Sequence, residues 1–261
     1  MRKIIQIWDY NLKLMLKGGN RFYFAFQGER GVLPEKEAHH LVRVCRKKKG
    51  EEILLIDGKG REYLGKIVEI NEKGKSLKVE VEILTLHRVE TLPPIEIISF
   101  IPLLKGDKTE FLIEKGVELG IHKFIIYSST FTIPSPSPQK LERFKEKALS
   151  AMKQSGRLFF PEIELTRDLV TYLRETPLKE GLKLLASPDG KPCILEFLEF
   201  TKNPQAKIYL LSGPEGGLSE EEINEALNKG FVKVSLSPYV LRSETAAFAL
   251  MSLAGELLLY L

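Results

Sequence analysis

The chain has 261 residues, of which 43% are hydrophobic and 28% are charged, a balance typical of a globular protein rather than a disordered one. No apolar run reaches the roughly 20 residues of a membrane span, and the N-terminal stretch lacks the apolar segment of a secretion signal, so a soluble, cytoplasmic protein is expected. Cys45 and Cys193 have no Cys or His partner at ligand spacing, which predicts neither a disulfide framework nor a metal site.

The formal net charge of +4 is unevenly distributed along the chain. Residues 1–90 hold 19 Lys and Arg against 13 Asp and Glu, whereas residues 91–261 hold 20 against 22. The densest basic patch is "RVCRKKKG", from Arg43 to Gly50. Such a cluster is typical of a surface that contacts phosphates, and the alternative is a solvated loop.

From Arg21 to about Leu86 the sequence predicts short β-strands with alternating burial, in "RFYFAF", "EEILLIDGKGREYLGKIVEI" and "KSLKVEVEIL". "DGKG" at Asp57–Gly60 predicts a hairpin between two of them. A small β-barrel is the simplest closure. "TLPPIE" at Thr91–Glu96 predicts a linker, so the expected domains are residues 1–90, with 1–20 as an extension before the first strand, and residues 91–261.

Beyond the linker, apolar strands alternate with segments of helical pattern, which predicts a parallel sheet covered on both faces. The strands are expected at "IEIISFIP", "KFIIYSST", "LKLLASP", "KIYLLSGPEGG" and "VKVSLSP", and the helices at "KTEFLIEKGVELGI", "QKLERFKEKALSAMKQSG", "SEEEINEALNKG" and "ETAAFALMSLAGELLLYL". The last helix is apolar nearly all round, so we expect it to be buried against the sheet, a partner subunit or both. The second domain is therefore predicted to be α/β.

The stretch "LLSGPEGGLSEEE", Leu210–Glu222, places three glycines between a strand and a helix. Ser219 and Glu222 form an S-x-x-E capping box, so the helix is expected to begin just after the glycines. The loop then lies at the carboxyl end of a parallel strand and beside a helix N-terminus, where α/β sheets bind ligands. Its pattern is neither that of a nucleotide triphosphate loop nor that of a dinucleotide loop, and a purely structural tight turn is the alternative.

One strand further along, "SLSPYVLRSETAAF" passes from a strand through a Ser-Pro turn into an alanine-rich helix. Arg242 and Glu244 flank Ser243 at the expected helix start. They are either charges held at a site or an exposed pair at the cap, and a cap role rests on Ser243 alone.

These two stretches, "GPEGGLSEEEI" and "LSPYVLRSETAAF", closely resemble the RsmE type of the SPOUT methyltransferases, which methylate uridine at N3 in small-subunit (16S) ribosomal RNA. "KGDKTEFLIEKGVELGI", "QSGRLFFPEI" and "HHLVRVCRKKKGEEILLIDGKG" resemble that family's other motifs, and the resemblance spans about residues 21–258. It implies a small N-terminal PUA-like β-barrel that helps to hold RNA. It also implies a C-terminal SPOUT domain with a parallel sheet and a deep trefoil knot.

The resemblance further implies that S-adenosyl-L-methionine binds in the knot, cradled by three loops, and that a homodimer completes the site. The glycines then let the backbone approach this ligand and the threaded chain. The family commonly has glycine in the turn where this chain has Ser237. By motif position, the cofactor-binding residues are Leu185, Ala186, Leu211, Ser212, Gly213, Glu215, Gly216, Leu236, Ser237, Leu241 and Ala246.

Methylation at N3 requires loss of the imide proton, and a nearby cation stabilises the resulting anion on O2 and O4. No metal is required, because the leaving thioether is neutral. Arg242 is predicted to be the cation. Glu215 or Glu244 is predicted to accept the proton or to orient Arg242, unless the two acids only tie the loops together. The residues predicted to bind RNA are Arg21, Arg43, Arg46, Lys47, Lys105 and Arg157.

Two other function classes compete with methyl transfer. One is a binding module that holds ribosomal RNA without chemistry, and it predicts no stoichiometric uptake of S-adenosylmethionine. The other is a phosphate-loop hydrolase, which predicts binding of ATP or GTP instead.

Overall fold

The computed structural model describes residues 21–24, 28–74, 76–131, 135–202, 204 and 206–260, so the predicted extension at residues 1–20 lies outside the described residues. The chain forms two compact units. Of the described residues, those from Arg21 to Leu92 together with Leu149–Phe160 form the first, and those of Pro93–Ala148 together with those from Pro161 to residue 260 form the second. The sequence predicted one boundary between the domains, at the linker. It did not predict that Leu149–Phe160 belongs to the first unit, because the hydrogen bonds that join this segment to that unit are long-range in sequence.

The first unit contains a five-stranded sheet with the order β1-β3-β4-β5-β2. Asp57–Gly60 forms the predicted hairpin between β3 and β4, since Asp57 Oδ1 accepts hydrogen bonds from the N–H groups of Lys59 at 2.7 Å and Arg61 at 3.1 Å. The described residues contain no ladder between the edge strands β1 and β2, so closure into a barrel stays a prediction. The strands are β1 Arg21–Tyr23, β2 Arg30–Val32, β3 Glu52–Ile56, β4 Arg61–Lys73 and β5 Ser76–Val89.

Burial in this sheet alternates as the sequence predicts. Leu77, Val79 and Val81 of β5 are buried, and the residues between them are exposed. They pack into one core with Phe22 of β1 and Leu55 of β3. The period of two in the sequence therefore identified the inner face of the sheet.

A short helical segment covers this core and was not predicted. Helix α1, Glu35–His39, continues into a π-helical turn, His40–Val44. Ala38 and Leu41 are its members of the core. So few apolar positions in so short a segment do not produce a recognisable helical period.

Arg21 is buried in the first unit and does not present its charge to solvent. Its Nε lies 2.7 Å from Glu62 Oε2, and Arg88 Nε lies 3.5 Å from the other oxygen of the same buried carboxylate. Removing one member of such a pair leaves an uncompensated buried charge. We therefore assign Arg21 to the stability of this unit and leave it out of the RNA contacts that the sequence suggested.

The second unit contains a wholly parallel six-stranded sheet, which confirms the predicted α/β class. Its order is β11-β9-β10-β6-β7-β8. The strands are β6 Glu96–Pro102, β7 Lys123–Tyr127, β8 Glu162–Thr166, β9 Leu182–Pro192, β10 Lys207–Leu211 and β11 Val232–Ser235. The helices that follow α1 in the chain are α2 Lys108–Glu118, α3 Pro138–Ser155, α4 Leu169–Glu175, α5 Cys193–Lys202, α6 Glu220–Asn228 and α7 Ser243–Tyr260.

Helices cover both faces of this sheet. On one face, Leu169 of α4 and Ala226 of α6 share a core with Phe100 of β6. On the other face, α2 and α7 pack together, and the rings of Phe111 and Phe248 lie 6.1 Å apart between their centroids. The burial of α7 that its apolar sequence predicted is confirmed by Ala247, Leu250, Met251 and Ala254.

Strand β8 and helices α4 and α5 were not predicted. These elements are short, and β8 itself contains Glu162, Glu164 and Thr166, which weaken its apolar signal. In the described ranges, no helix combines the length and the hydropathy needed to cross a bilayer.

Candidate functional site

The candidate site lies at the carboxyl ends of β9, β10 and β11, which are neighbours in the parallel sheet. Lys233 pairs with Leu185 but Val234 pairs with Lys191, so residues 186–190 bulge out of the ladder within β9 and make a loop-like excursion at this edge. This loop and the loops that follow β10 and β11 surround a cavity of about 630 Å³. Three loops thus meet where open α/β sheets bind their ligands.

Most of the residues predicted for catalysis or cofactor binding border this cavity. They come from all three loops and from the first turn of α7, so residues far apart in the sequence are brought together. The bordering residues among those predicted are Leu185, Ala186, Gly213, Glu215, Leu236, Ser237, Leu241, Arg242 and Ala246.

Three predicted cofactor residues do not border the cavity. Leu211 is fully buried in the core beneath it, and the side chain of Ser212 is also buried. Gly216 faces Phe131, because a Cβ on this glycine would lie 2.9 Å from Phe131 Cβ. These residues support the cavity wall instead of forming it.

Hydrogen bonds from distant elements fix the glycine-rich loop. Tyr127 Oη donates to the carbonyl oxygen of Ser212 at 2.6 Å, and Ser243 Oγ donates to the carbonyl oxygen of Gly213 at 2.6 Å. Ser243 is the first residue of α7 and was predicted as its cap, whereas its hydroxyl ties this helix to the loop. Gly217 has a φ of +77°, a left-handed conformation that favours glycine.

The predicted capping box at the start of α6 is confirmed, and it does more than cap the helix. Glu222 Oε2 accepts a hydrogen bond from Ser219 N–H at 2.7 Å, while Ser219 Oγ accepts one from Glu222 N–H at 3.2 Å. The same buried carboxylate accepts hydrogen bonds from Ser129 Oγ at 2.9 Å and Thr130 N–H at 3.1 Å. Glu222 therefore holds the segment after β7 against the glycine-rich loop.

A cation that was not predicted lies between the two predicted acids. Lys108 Nζ is 2.9 Å from Glu215 Oε1 and 3.3 Å from Glu244 Oε2. The hydrogen bond to Glu215, together with the nearby negative charge of Glu244, raises the pKa of Lys108 above its ordinary value. Burial alone would raise the pKa of Glu215, but the hydrogen bond from Lys108 and the charges of Lys108 and Lys105 lower it overall.

Arg242 borders the cavity and is exposed. Within the described part of the chain, no carboxylate forms an ion pair with it. Glu215 and Glu244 pair with Lys108 instead, so neither acid orients Arg242 in this structure. Arg242 thus offers an unneutralised positive charge at the edge of the cavity.

Residues 91–255 match the family of the RNA methyltransferase domain, and residues 33–80 match the RNA methyltransferase PUA domain. The chain is 32% identical over 227 residues to the ribosomal RNA small subunit methyltransferase E of Aquifex aeolicus, with 85% of this chain and 92% of the relative covered. It is 31% identical over 216 residues to that of Synechocystis sp., with 82% and 69% covered. The chain belongs to the ribosomal RNA small subunit methyltransferase E family.

The fold agrees with this family assignment. The ribosomal RNA small subunit methyltransferase E from Neisseria gonorrhoeae, solved bound to S-adenosyl methionine, superposes with a TM-score of 0.78 at 30% identity. The superposition covers 91% of this chain and 97% of that one. The RNA methyltransferase class and the PUA domain inferred from the motifs are confirmed, while the trefoil knot and the homodimer stay predictions.

The basic patch that was predicted to bind RNA belongs to the PUA-containing unit. Arg43 pairs with Glu72, and Lys47 Nζ lies 3.0 Å from Glu51 Oε2. Arg46 is exposed, as are Lys48 and Lys49, and these three form no ion pair with the residues that the structure describes. The patch therefore contains both self-neutralised and free charges.

The other two predicted RNA contacts lie in different surroundings. Lys105 is exposed in the second unit, near enough to Glu215 to lower its pKa. Arg157 is half-buried in the first unit, and burial lowers its pKa to about 10. Across the described ranges, no group of three or more His, Cys, Asp or Glu side chains is placed to hold a metal ion.

Sequence reasoning in this RNA methyltransferase missed Lys108 and Tyr127. The motif that contains Lys108 was identified, but only Lys105 was selected from it. A lysine at the first position of a predicted helix is unfavourable because it opposes the helix dipole. This unfavourable position was the one feature of the sequence that could have marked Lys108 as a functional residue. Tyr127 gave no signal, because its partner lies 85 residues away.

We expect Tyr127→Phe to lower the free energy of unfolding by about 1–2 kcal/mol, because the carbonyl group of Ser212 loses a buried hydrogen bond. Urea unfolding followed by circular dichroism measures this change. Tyr239→Phe is the matched control, since Tyr239 is exposed and its substitution should leave the transition unchanged. Equal effects of the two substitutions would show that the Tyr127 hydroxyl does not fix the loop.

Proposed function

We propose that this chain uses S-adenosyl-L-methionine to methylate N3 of a uridine in 16S ribosomal RNA. The observation that carries this proposal is the cavity formed by three loops at the edge of a parallel sheet, in a chain of an RNA methyltransferase family. Its volume of about 630 Å³ is in the range of cavities that bind small molecules. The relatives from Synechocystis sp. and Aquifex aeolicus are named as methyltransferases of small-subunit ribosomal RNA.

The residues around the cavity fit this cofactor. Leu185, Leu236 and Leu241 provide apolar surface, and Gly213 and Gly217 expose backbone groups. When bound, S-adenosyl-L-methionine supplies a methyl group on a positively charged sulfur. The phosphate-loop hydrolase is disfavoured because the glycine-rich loop has neither of the phosphate-loop sequence patterns and no lysine follows its glycines.

Arg242 is proposed to stabilise the anion that forms when the uracil ring loses its N3 proton. The guanidinium is free of ion pairs among the described residues and borders the cavity, so its charge is available for the ring oxygens. Stabilisation of a developing charge by fixed donors is among the largest contributions to catalysis.

The function is tested by incubating the purified chain with S-adenosyl-L-methionine and 16S ribosomal RNA, free or in small subunits, and locating the product by mass mapping. We expect methylation at a uridine N3. Arg242→Ala should retain the fold and cofactor binding but lose roughly 100-fold or more in single-turnover methyl transfer. Arg242→Lys should restore little, because an ammonium does not present a planar fork to two acceptors.

An Arg242→Ala variant with a normal single-turnover rate but a raised RNA requirement would assign this residue to substrate holding. Stoichiometric RNA binding without uptake of S-adenosyl-L-methionine or methyl transfer would instead support the binding module without chemistry. Isothermal titration with S-adenosyl-L-methionine distinguishes the binding module from the methyltransferase, because only the methyltransferase takes up the cofactor stoichiometrically.

The chain is further proposed to act as a homodimer with α7 in the interface. Tyr239 and Val240 at the cavity are 80% and 85% exposed, and Leu259 of α7 is 70% exposed. Tyr239 and Val240 are adjacent beside the cavity, and exposed apolar side chains at such a place are typical of surfaces that a partner covers.

We expect sedimentation equilibrium to show a dimer at micromolar concentration, and the double substitution Tyr239→Ser and Val240→Ser to shift it toward monomer. Lys202→Ala, on an exposed part of α5, is a control that should leave the mass unchanged. A wild-type monomer that still binds the cofactor fully would exclude a dimer requirement.

The free charges of the basic patch are proposed to contribute affinity for RNA rather than chemistry. The triple substitution Arg46→Ala, Lys48→Ala and Lys49→Ala should weaken RNA binding and reduce the salt slope by roughly one unit per lost phosphate contact. Lys66→Ala with Lys78→Ala, on exposed positions of β4 and β5, serves as the control. Binding isotherms between low and moderate salt give the slopes, and an unchanged slope in the triple variant would identify a solvated loop.

A further inference from the structure

Lys108 connects three elements around the cavity. It is the first residue of α2, while Glu215 lies in the loop after β10 and Glu244 lies in the first turn of α7. Its Nζ is 2.9 Å from Glu215 Oε1 and 3.3 Å from Glu244 Oε2. One ammonium group thus bridges the carboxylates of two segments that are remote in sequence.

The position of Lys108 is not explained by the stability of α2. A cation at a helix N-terminus is opposed by the partial positive charge of that end. The start of the helix is fixed independently by buried Thr109, whose Oγ1 accepts a hydrogen bond from Leu104 N–H at 2.8 Å. Lys108 is therefore held by its two carboxylate partners. Their attraction offsets the unfavourable interaction between its ammonium group and the helix dipole.

The two carboxylates differ in access. Glu215 borders the cavity, and 45% of its side chain is exposed. Glu244 does not border the cavity, only 18% of its side chain is exposed, and its Oε2 is buried. A substrate that enters the cavity can reach Glu215, whereas Glu244 is placed behind Lys108.

We propose that Glu215 is the catalytic residue that accepts the N3 proton, and that Lys108, held by Glu244, is the residue that positions it. This assignment rests on the proposed function. The N3–H bond breaks, the proton bonds to a carboxylate oxygen of Glu215, and the electron pair stays on nitrogen and spreads onto O2 and O4. Glu215 afterwards releases the proton to solvent, to which its side chain is exposed.

The second carboxylate gives this arrangement its stability during the reaction. When Glu215 takes up a proton it becomes neutral and no longer attracts Lys108 as an ion. Glu244 keeps its charge, so Lys108 retains an ionic partner and the two loops stay in place. A lysine with one carboxylate partner would lose its anchor at the moment of proton transfer.

The charged groups that face Glu215 are Lys108 from α2, Lys105 from the segment before α2 and Glu244 from α7, with Arg242 on the same cavity. Although burial acts in the opposite direction, Lys108 lowers the pKa of Glu215. Removal of Lys108 therefore raises this pKa, and a higher pH is needed to keep the carboxylate ionised. The acid limb of the pH–rate profile should move to higher pH.

A carbon-13 NMR titration of the Glu215 carboxyl group tests the positioning role without reference to activity. We expect Lys108→Met to raise the Glu215 pKa, because the carboxylate loses its hydrogen bond and its ionic partner. Lys115→Met is the matched control, because Lys115 lies on the same helix and pairs with Glu114 and Glu118 at 2.9 Å. A Glu215 pKa that does not change in Lys108→Met, or changes equally in Lys115→Met, would overturn the role of Lys108.

Single-turnover pH profiles with 16S ribosomal RNA test the catalytic assignment. Glu215→Gln should lose about 100-fold or more, and Lys108→Met should lose roughly 10-fold to 100-fold with its acid limb displaced. Lys108→Arg should recover much of the rate. Glu244→Gln should resemble Lys108→Met, and the double variant should be no worse than either single one, because both remove the same support.

A larger loss in Glu244→Gln than in Glu215→Gln, or additive losses in the double variant, would overturn the assignment. A wild-type chain without methyl transfer would overturn the proposed function and the acceptor role of Glu215 together. The NMR titration would still decide whether Lys108 controls Glu215, so the two failures are distinguishable.

Discussion

Two backbone carbonyl groups, those of Ser212 and Gly213, hold the cavity together. Each accepts a short hydrogen bond from a different layer of the unit, the first from Tyr127 on β7 and the second from Ser243 at the start of α7. A buried carbonyl that loses such a partner costs about 1–3 kcal/mol, so the loop has little freedom to rearrange. The cavity is consequently formed by the fold before any ligand arrives, which lowers the entropy lost on binding.

The two units carry different kinds of charge. In the first, Arg46, Lys48 and Lys49 form an exposed basic surface suited to long-range, salt-sensitive attraction of a polyanion. In the second, the charges at the cavity have mixed sign and act over a few ångströms, as between Lys108 and Glu215. On the proposed function, affinity for RNA and control of a single proton belong to separate parts of the chain.

The sequence predicted the elements whose pattern is local. Alternation identified β5, continuous apolar runs identified the parallel strands, and Ser219 with Glu222 marked the start of α6. The interactions that the sequence did not predict are long-range: Lys108 meets Glu215 across 107 residues, and nothing near either residue indicates the other. Gly216 shows the same limit, because the glycine pattern predicted a close approach but not that Phe131 would be the neighbour.

The central ladder of the second unit joins β6 to β10, and its first pair, Glu96 and Lys207, lies 111 residues apart. Pairing of this kind closes a long loop before it gains any contact, which makes folding slow. Ser243 and α7 come later still in the sequence. During synthesis the first unit can acquire its local β-structure early, whereas the cavity cannot form before Ser243 has left the ribosome.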